Sequence, residues 1–300
     1  MKNAPANLAH ALPAVHRSSA ISDYVALTKP RLNLLVVLTS AAGYYLGGAG
    51  TPDLFRMAQA VIGTALVAGG SAVLNQVYER DTDALMRRTR LRPLPDRRVT
   101  PVEAAIYGLV LTVAGLALLA FATNWVASTL ALATLTLYLL VYTPMKRTSN
   151  LSTLVGAVPG ALPAVIGWSA ARGDVAIGGG TLFAIVFLWQ IPHFMAIAWM
   201  YRDDYRAAGF PMLPVIEPDG LRTGQQALLY SAALLPVSIA PTVVGIAGWA
   251  YFWLALVLSL GLVVLSARFA RQRTDRSART LFFATIIYLP LIWAVMVLDH

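Results

Sequence analysis

The sequence predicts an all-α polytopic membrane protein with nine transmembrane helices. Hydrophobic residues make up 58% of the 300 residues and charged residues only 12%, against about 25% charged residues in an average soluble protein. The apolar residues come in segments of roughly 18–23 residues, the length that an α-helix needs to cross the hydrocarbon core of a bilayer. Lysines and arginines fall mostly between alternate segments, as expected for a multi-pass membrane protein.

Nine candidate spans follow one another along the chain. They cover 32–49, 55–77, 101–122, 124–143, 151–170, 181–200, 225–247, 249–267 and 280–298. For residues 1–22 we expect a disordered cytoplasmic tail and no cleavable signal, because no small-residue cleavage site follows an apolar run there. Residues 23–300 are predicted to form a single nine-helix domain.

The basic residues predict how the chain is oriented in the lipid bilayer. If the N-terminus and the even-numbered connections share one side, that side holds all 23 lysines and arginines except Arg56 and Arg172. By the positive-inside rule it faces the cytoplasm, so we expect a protein of the cell inner (plasma) membrane with its N-terminus cytoplasmic and its C-terminus outside. The net charge of +9 is then a matter of topology and of anionic lipid headgroups, and no nucleic-acid partner is expected.

Two long charged connections, 78–100 and 201–224, are the predicted location of the chemistry. Functional residues are often placed on loops that a rigid scaffold holds. Both connections follow a span on the cytoplasmic side, and four helices separate them, which suggests an internal duplication. Because the chain has no cysteine, disulfides, thiolate metal sites and cysteine nucleophiles are excluded.

The first connection begins with the oxygen-bearing side chains of Asn75, Glu79 and Asp83. Their spacing puts them within roughly 80° of one another on a helix, whereas Asp81 points roughly 240° away from Asn75. Carboxylate oxygens suit a hard cation such as Mg²⁺, and arginines can fork onto phosphate. A run of arginines follows directly, so this stretch predicts a site for a magnesium diphosphate.

Basic residues elsewhere could complete a positive rim around these oxygens. The predicted diphosphate contacts are Lys29, Arg87, Arg88, Lys146, Arg147 and Arg202. A role as topology anchors explains them equally well. Asp203 and Asp204 could form a second cluster for a cation, and the alternative is a solvated, self-neutralised helix end.

His193 lies within the sixth predicted span. An ionisable residue at membrane depth is by default a functional candidate, and neutral imidazole is a common ligand of metals and of haem iron. On a helix it lies about 12–16 Å deeper than residues 201–204, too deep for a diphosphate held at that rim. A structural hydrogen bond between helices explains it equally well.

Taken together, these segments resemble the UbiA-like membrane prenyltransferase superfamily, and within it the branch that farnesylates haem. The resemblance runs from about residue 22 and rests on the segments 27–31, 75–95, 142–147, 189–193 and 204–214. Glu79 stands where the superfamily more often has aspartate. Tyr201 and Tyr205 stand where it usually has two aspartates, which argues against a second magnesium held fully by the protein.

The resemblance implies nine helices around an intramembrane active-site chamber. It also implies transfer of a farnesyl group from farnesyl diphosphate to a vinyl group of protohaem IX (haem B), with hydration, giving haem O and diphosphate. Asn75, Glu79 and Asp83 would hold Mg²⁺ and support catalysis, and His193 would face the haem. The product would pass to a haem A synthase or a terminal oxidase assembly. Another aromatic or tetrapyrrole acceptor is one alternative, and a polytopic transporter is a second from a different class.

Overall fold

The computed structural model describes residues 19–48 and 50–300, and every regular element in these ranges is helical. The apolar segments are too long for strands and need all their backbone hydrogen bonds satisfied internally, which a helix achieves. The elements are α1 (Ala20–Leu27), α2 (Pro30–Gly47), α3 (Leu54–Asp83), α4 (Pro101–Ala122), α5 (Trp125–Thr136), a π-helical segment (Leu137–Tyr142), α6 (Thr143–Met145), α7 (Ser152–Arg172), α8 (Ala176–Met200), α9 (Arg202–Ala207), α10 (Leu213–Ile216), α11 (Leu221–Val243), α12 (Trp249–Gln272) and α13 (Asp275–Leu298).

Eight helices in the described ranges are long and apolar enough to cross a membrane. One of them is the continuous stretch Trp125–Met145, which joins α5, the π-helical segment and α6. The first predicted span, 32–49, corresponds to α2, which has Arg31 and Asn33 in its first turn and is not among the eight. The predicted all-α polytopic fold is confirmed, and the count of spans differs by this one helix.

The helix boundaries differ from the predicted ones at the cytoplasmic connections. The second predicted span ends at 77, but α3 continues to Asp83, so the first residues of the predicted connection 78–100 are helical. The connection 201–224 contains the short helices α9 and α10. Residues 1–18 of the predicted tail lie outside the described residues, and α1 begins within its last residues, where the Ser19 hydroxyl accepts a hydrogen bond from the Ser22 amide at 3.3 Å.

The long helices pack as two groups that meet at α7 and α8. One group contains α2 to α5 and α7, and the other contains α8 and α11 to α13. Small residues allow α2 and α7 to approach closely, as is common between membrane helices. A Cβ atom added to Gly167 would lie 1.9 Å from the Ser40 carbonyl oxygen, and one added to Gly43 would lie 2.1 Å from that of Ala164.

Both long connections lie against each other at one end of the bundle. Met86, from the connection that follows α3, packs with Ala208, Phe210 and Met212 from the connection that follows α8. All four side chains are buried. This contact brings the two predicted functional loops into a single site.

Candidate active site

Asn75, Glu79 and Asp83 lie on one buried face of the last turns of α3. Their exposed fractions are 1%, 5% and 1%, respectively. The side chain of Asp81 is 82% exposed and pairs with Arg80 at 3.2 Å. The i, i+4, i+8 spacing therefore separates three inward-facing side chains from an outward-facing carboxylate on the same helix.

The π-helical segment orients Asn75. The Thr143 hydroxyl donates a hydrogen bond of 2.7 Å to the Tyr138 carbonyl oxygen, five residues earlier, and accepts one of 3.0 Å from the Asn75 amide nitrogen. The Asn75 amide oxygen is thereby directed to the opposite side, where it accepts from the Lys29 ammonium at 3.5 Å. π-Helical turns occur often at functional sites because they change the register of the residues that follow.

Each of the two carboxylates pairs with a cation from another part of the chain. Lys146, just after α6, donates to Glu79 Oε1 at 2.9 Å. Arg92, in the connection after α3, donates to Asp83 Oδ2 at 2.8 Å. Arg92 is not among the predicted diphosphate contacts. Its Arg-Pro-Leu sequence lies within a segment that carries the family resemblance, and this sequence could have identified Arg92 as a site residue.

The electrostatic environment differs between the two lysines. Burial, together with the positive charge of Arg92, lowers the pKa of Lys29 to about 8. Burial also acts to lower the pKa of Lys146, but the adjacent Tyr142 and Glu79 outweigh it and hold that pKa above its ordinary value. Lys29 also has a left-handed backbone, with φ 50° and ψ 57°, directly before α2.

The second connection contributes aromatic rings to the site. The Arg88 guanidinium lies 5.0 Å from the ring centre of Tyr201 and 5.9 Å from that of Tyr205. The Lys146 ammonium lies 5.3 Å from the ring centre of Phe210. Cation–π contacts of this kind hold a positive charge in place. Tyr201 and Tyr205, which hold Arg88, are the two positions at which the family resemblance led us to expect aspartates.

The remaining predicted rim residues are less closely connected to this cluster. Arg147 lies over Tyr78, with 5.4 Å to the ring centre, and Arg87 is exposed. Arg202 pairs with Asp275 at 2.7 Å and donates to the Trp199 carbonyl oxygen, so its guanidinium is directed toward the start of α13. Arg202 is therefore not brought to the acidic end of α3.

The second acidic pair does not form a cluster with Glu79 and Asp83. The Asp203 side chain is 79% exposed and pairs with Arg206 at 2.8 Å, three residues later on α9. That geometry matches the alternative of a solvated, self-neutralised helix end. Asp204 is half-buried.

The oxygens at the end of α3 fit a magnesium ion that completes its shell from other sources. Within the described ranges, no group of three or more His, Cys, Asp or Glu side chains could hold a metal ion. Glu79 and Asp83 each pair with a basic side chain through one carboxylate oxygen, and within the described ranges the second oxygen of each accepts no hydrogen bond. Mg²⁺ usually takes one or two carboxylates and fills its other positions with water and substrate phosphates.

His193 lies on α8 and contacts α13. Its Nδ1 atom is 2.9 Å from the Thr285 hydroxyl. Its ring stacks on Trp189 and Phe282, with centres 5.1 and 5.0 Å away. Of the two expectations for His193, the structural hydrogen bond between helices is present.

Known proteins resemble this chain in both sequence and fold. A relative from Solibacter usitatus (strain Ellin6076), named protoheme IX farnesyltransferase, is 43% identical over 287 residues that cover 93% of this chain and 98% of the relative. A structure of digeranylgeranylglyceryl phosphate synthase matches with a TM-score of 0.79 at 16% identity, covering 93% of this chain and 98% of that one. A UbiA homologue from Archaeoglobus fulgidus bound to GPP and Mg²⁺ matches with a TM-score of 0.63 at 20% identity, covering 91% and 99%.

The family assignment rests on the sequence matches, since structural similarity at these identities shows the fold alone. The UbiA prenyltransferase family matches residues 36–288, which span every long helix from α2 into α13 and include the whole acidic end of α3. The resemblance seen in the motifs is confirmed. The chain belongs to the UbiA prenyltransferase family.

Proposed function

We propose that this protein transfers a farnesyl group from farnesyl diphosphate to a vinyl group of protohaem IX, with hydration, to give haem O and diphosphate. The name of the Solibacter usitatus relative supports both substrates. The observation that carries the proposal is the pair of buried carboxylates, Glu79 and Asp83, each bound to a cation where the two long connections meet. Such a site suits a substrate that brings both phosphate and a divalent cation.

The cations of the site have a direct role in the proposed reaction. Lys29, Lys146, Arg92 and Arg88 would bind the diphosphate and stabilise the charge that develops on it as the carbon–oxygen bond breaks. The electron pair of that bond leaves with the diphosphate. The vinyl π-electrons then form the new carbon–carbon bond, and water supplies the hydroxyl group and releases a proton to solvent.

Mg²⁺ is the proposed metal. The Archaeoglobus fulgidus homologue, bound to GPP and Mg²⁺, supports this choice, as do the available oxygens of Glu79 and Asp83. These two carboxylates and the Asn75 amide oxygen would hold the ion. When bound, the ion supplies Lewis-acid stabilisation of the diphosphate. Asp203 and Asp204 are not needed to hold this ion. Their role as a second acidic loop stays a prediction.

The farnesyl chain is proposed to lie in an apolar groove of about 460 Å³ between α2 and α13. The lining begins at Leu35, roughly 9 Å along α2 from Lys29, and includes Thr39, Pro290 and Trp293. A prenyl chain lying there would have its diphosphate end near Lys29. Apolar walls would also limit access of water to the allylic cation before the acceptor reacts.

The site is proposed to open to the cytoplasm from the cell inner membrane, with the N-terminus cytoplasmic and the C-terminus outside. The distribution of lysine and arginine supports this orientation, since Arg56 lies near the start of α3 and Arg172 at the end of α7, opposite the acidic end of α3. The described residues do not identify a protein partner, so the hand-off to a haem A synthase or a terminal oxidase assembly stays a prediction.

The deciding experiment gives purified protein haem B, farnesyl diphosphate and Mg²⁺ and follows the product by mass. We expect a new haem with the mass of one added farnesyl group and one water, and no such product when the metal is chelated. A parallel reaction supplies 4-hydroxybenzoate in place of haem B, and a prenylated product there without haem O in the first reaction would establish the alternative acceptor class. The Glu79→Gln/Asp83→Asn double variant, prepared in the same detergent, is the matched control for contaminating activity.

A further inference from the structure

Two aromatic side chains stack on the His193 ring. Trp189 stacks on it with an interplanar angle of 19°, and Phe282 with an angle of 22°. Such stacked contacts fix the plane of the imidazole. His193 is nevertheless half-buried rather than fully buried. Its Nδ1 atom contacts the Thr285 hydroxyl, whereas Nε2 makes no hydrogen bond within the described part of the chain.

The Thr285 hydroxyl determines which of the two nitrogens carries the proton. Its oxygen lies 2.6 Å from the Phe282 carbonyl oxygen, a separation that requires a proton between the two oxygens. A carbonyl cannot donate, so the single hydroxyl proton of Thr285 is committed to Phe282. At 2.9 Å from the same hydroxyl oxygen, His193 Nδ1 must donate, and the proton of the neutral imidazole is on Nδ1.

Thr285 is itself fixed on both its side chain and its backbone. It is fully buried, and its carbonyl oxygen accepts a hydrogen bond of 2.8 Å from the Trp189 indole nitrogen. Trp189 lies one helical turn before His193 on α8, so two hydrogen bonds join α8 to the same residue of α13. A ring held by two stacked partners and by this hydroxyl has little freedom to turn over.

We propose that Thr285 is a positioning residue that holds His193 as the Nδ1-protonated tautomer and presents the Nε2 lone pair to the iron of the haem acceptor. The haem part rests on the proposed function, whereas the tautomer does not. A partner that fixes the second nitrogen of a metal-binding histidine sets its tautomer and orientation. The hydrogen bond that gives His193 a structural role thus also makes Nε2 an electron-pair donor.

The first test needs no haem and no activity. Protein labelled with ¹⁵N-histidine is measured by NMR in detergent micelles, and the His193 signals are assigned from their loss in His193→Asn. We expect wild type and Thr285→Ser to have a protonated Nδ1 and an unprotonated Nε2. Thr285→Val, which keeps the volume but removes the acceptor, should shift the ring toward the Nε2-protonated form. A protonated Nε2 in the wild-type protein overturns the proposal.

The second test titrates the same proteins with ferric haem B and follows the absorption spectrum. Loss of an orienting partner typically reduces metal affinity by about 10-fold or more, so Thr285→Val should bind haem about 10-fold more weakly with an altered spectrum. Thr285→Ser should bind as wild type does. All variants should retain affinity for farnesyl diphosphate, which shows that Thr285→Val is folded.

Haem binding with the same affinity and spectrum in Thr285→Val as in wild type overturns the haem-facing part of the proposal. A spectrum that changes in Thr285→Val but not in His193→Asn also overturns it, since His193 would then not be the ligand. These outcomes are separate from the mass assay for haem O. That assay can fail while the tautomer is confirmed, and it can succeed with Nε2 protonated.

Discussion

Glu79 and Asp83 illustrate at the residue scale how a charged group is kept inside a helical bundle. A buried carboxylate is costly unless it is paired and hydrogen-bonded. Lys146 and Arg92 provide that pairing through one oxygen of each carboxylate. The same pairing leaves the second oxygen of each carboxylate without a hydrogen bond in the described part of the chain, as the proposed magnesium site requires.

Removing either charge should reduce turnover strongly. We expect Glu79→Gln and Asp83→Asn each to lower haem O formation about 100-fold, because orienting and ligating groups at metal sites contribute roughly 10–100-fold each. Asp81→Asn is the control on the same helix, since Asp81 is exposed and pairs with Arg80. It should retain nearly full activity. Equal losses of activity in all three variants would mean that any loss of negative charge on α3 lowers turnover. Glu79 and Asp83 would then have no specific role.

Arg88 and Arg87 provide a second matched pair. Both arginines are exposed, but Arg88 lies over the rings of Tyr201 and Tyr205. A guanidinium can fork onto phosphate and stack on aromatic rings, but an ammonium cannot. We therefore expect Arg88→Lys to weaken farnesyl diphosphate binding several-fold and Arg87→Lys to leave it unchanged. The apparent affinity measured from initial rates checks this, and an effect of Arg87→Lys as large as that of Arg88→Lys would contradict it.

At the element scale, the contact between α2 and α7 depends on residues without side chains. Backbone atoms of α2 occupy the space where a Cβ atom of Gly167 would lie. This contact holds α2, and with it Lys29, against the rest of the bundle. A change in the middle of the membrane can therefore affect the charged site at its edge.

Gly167→Ala should destabilise the protein, because overpacking a close helix contact costs typically 1–3 kcal/mol. Gly261→Ala on α12 is the control, since no atom lies within 4 Å of its added Cβ and alanine is favoured over glycine within helices. Thermal unfolding in detergent, followed by tryptophan fluorescence, should show a lower midpoint for Gly167→Ala only. Similar midpoints for both variants would show that α2 can move away from α7 without cost.

The sequence predicts regular features of the elements better than contacts between them. Periodicity along a helix identified the face shared by Asn75, Glu79 and Asp83, and apolar length identified the spans. The pairing of Arg92 with Asp83 and the contact of Phe210 with Lys146 depend on how two loops meet in space. The π-helical segment and the direction of Arg202 toward Asp275 are likewise set by tertiary contacts, which no local pattern in the sequence records.

At the scale of the whole molecule, most of the lysines and arginines lie at the same end of the bundle as the candidate site. The acidic end of α3, the two long connections and Lys146 all lie there, and Arg56 and Arg172 lie at the ends opposite. The positive-inside rule, which orients the protein in the membrane, therefore also determines which side the proposed diphosphate site faces.

The absence of cysteine allows a direct test of this orientation. Thr148→Cys, in the connection after α6, and Asp174→Cys, in the connection after α7, place single thiols at exposed positions at opposite ends of the bundle. In intact cells, a membrane-impermeant maleimide should label Asp174→Cys, whereas Thr148→Cys should react only after permeabilisation. Wild-type protein gives the background. The reverse pattern would place the acidic end of α3 outside the cell.

Because of the left-handed backbone at Lys29, protein engineering that selects for stability would work against substrate binding. A side chain other than glycine costs about 1–2 kcal/mol in this conformation, and Lys29 also lies before a proline, which restricts it further. A screen for thermostable variants should therefore select glycine at position 29, with a melting temperature above that of Lys29→Ala. That protein would be easier to purify, but it would lack the ammonium beside Asn75 and should bind farnesyl diphosphate poorly. Thermostability and substrate affinity, measured on the same preparation, should move in opposite directions at this position.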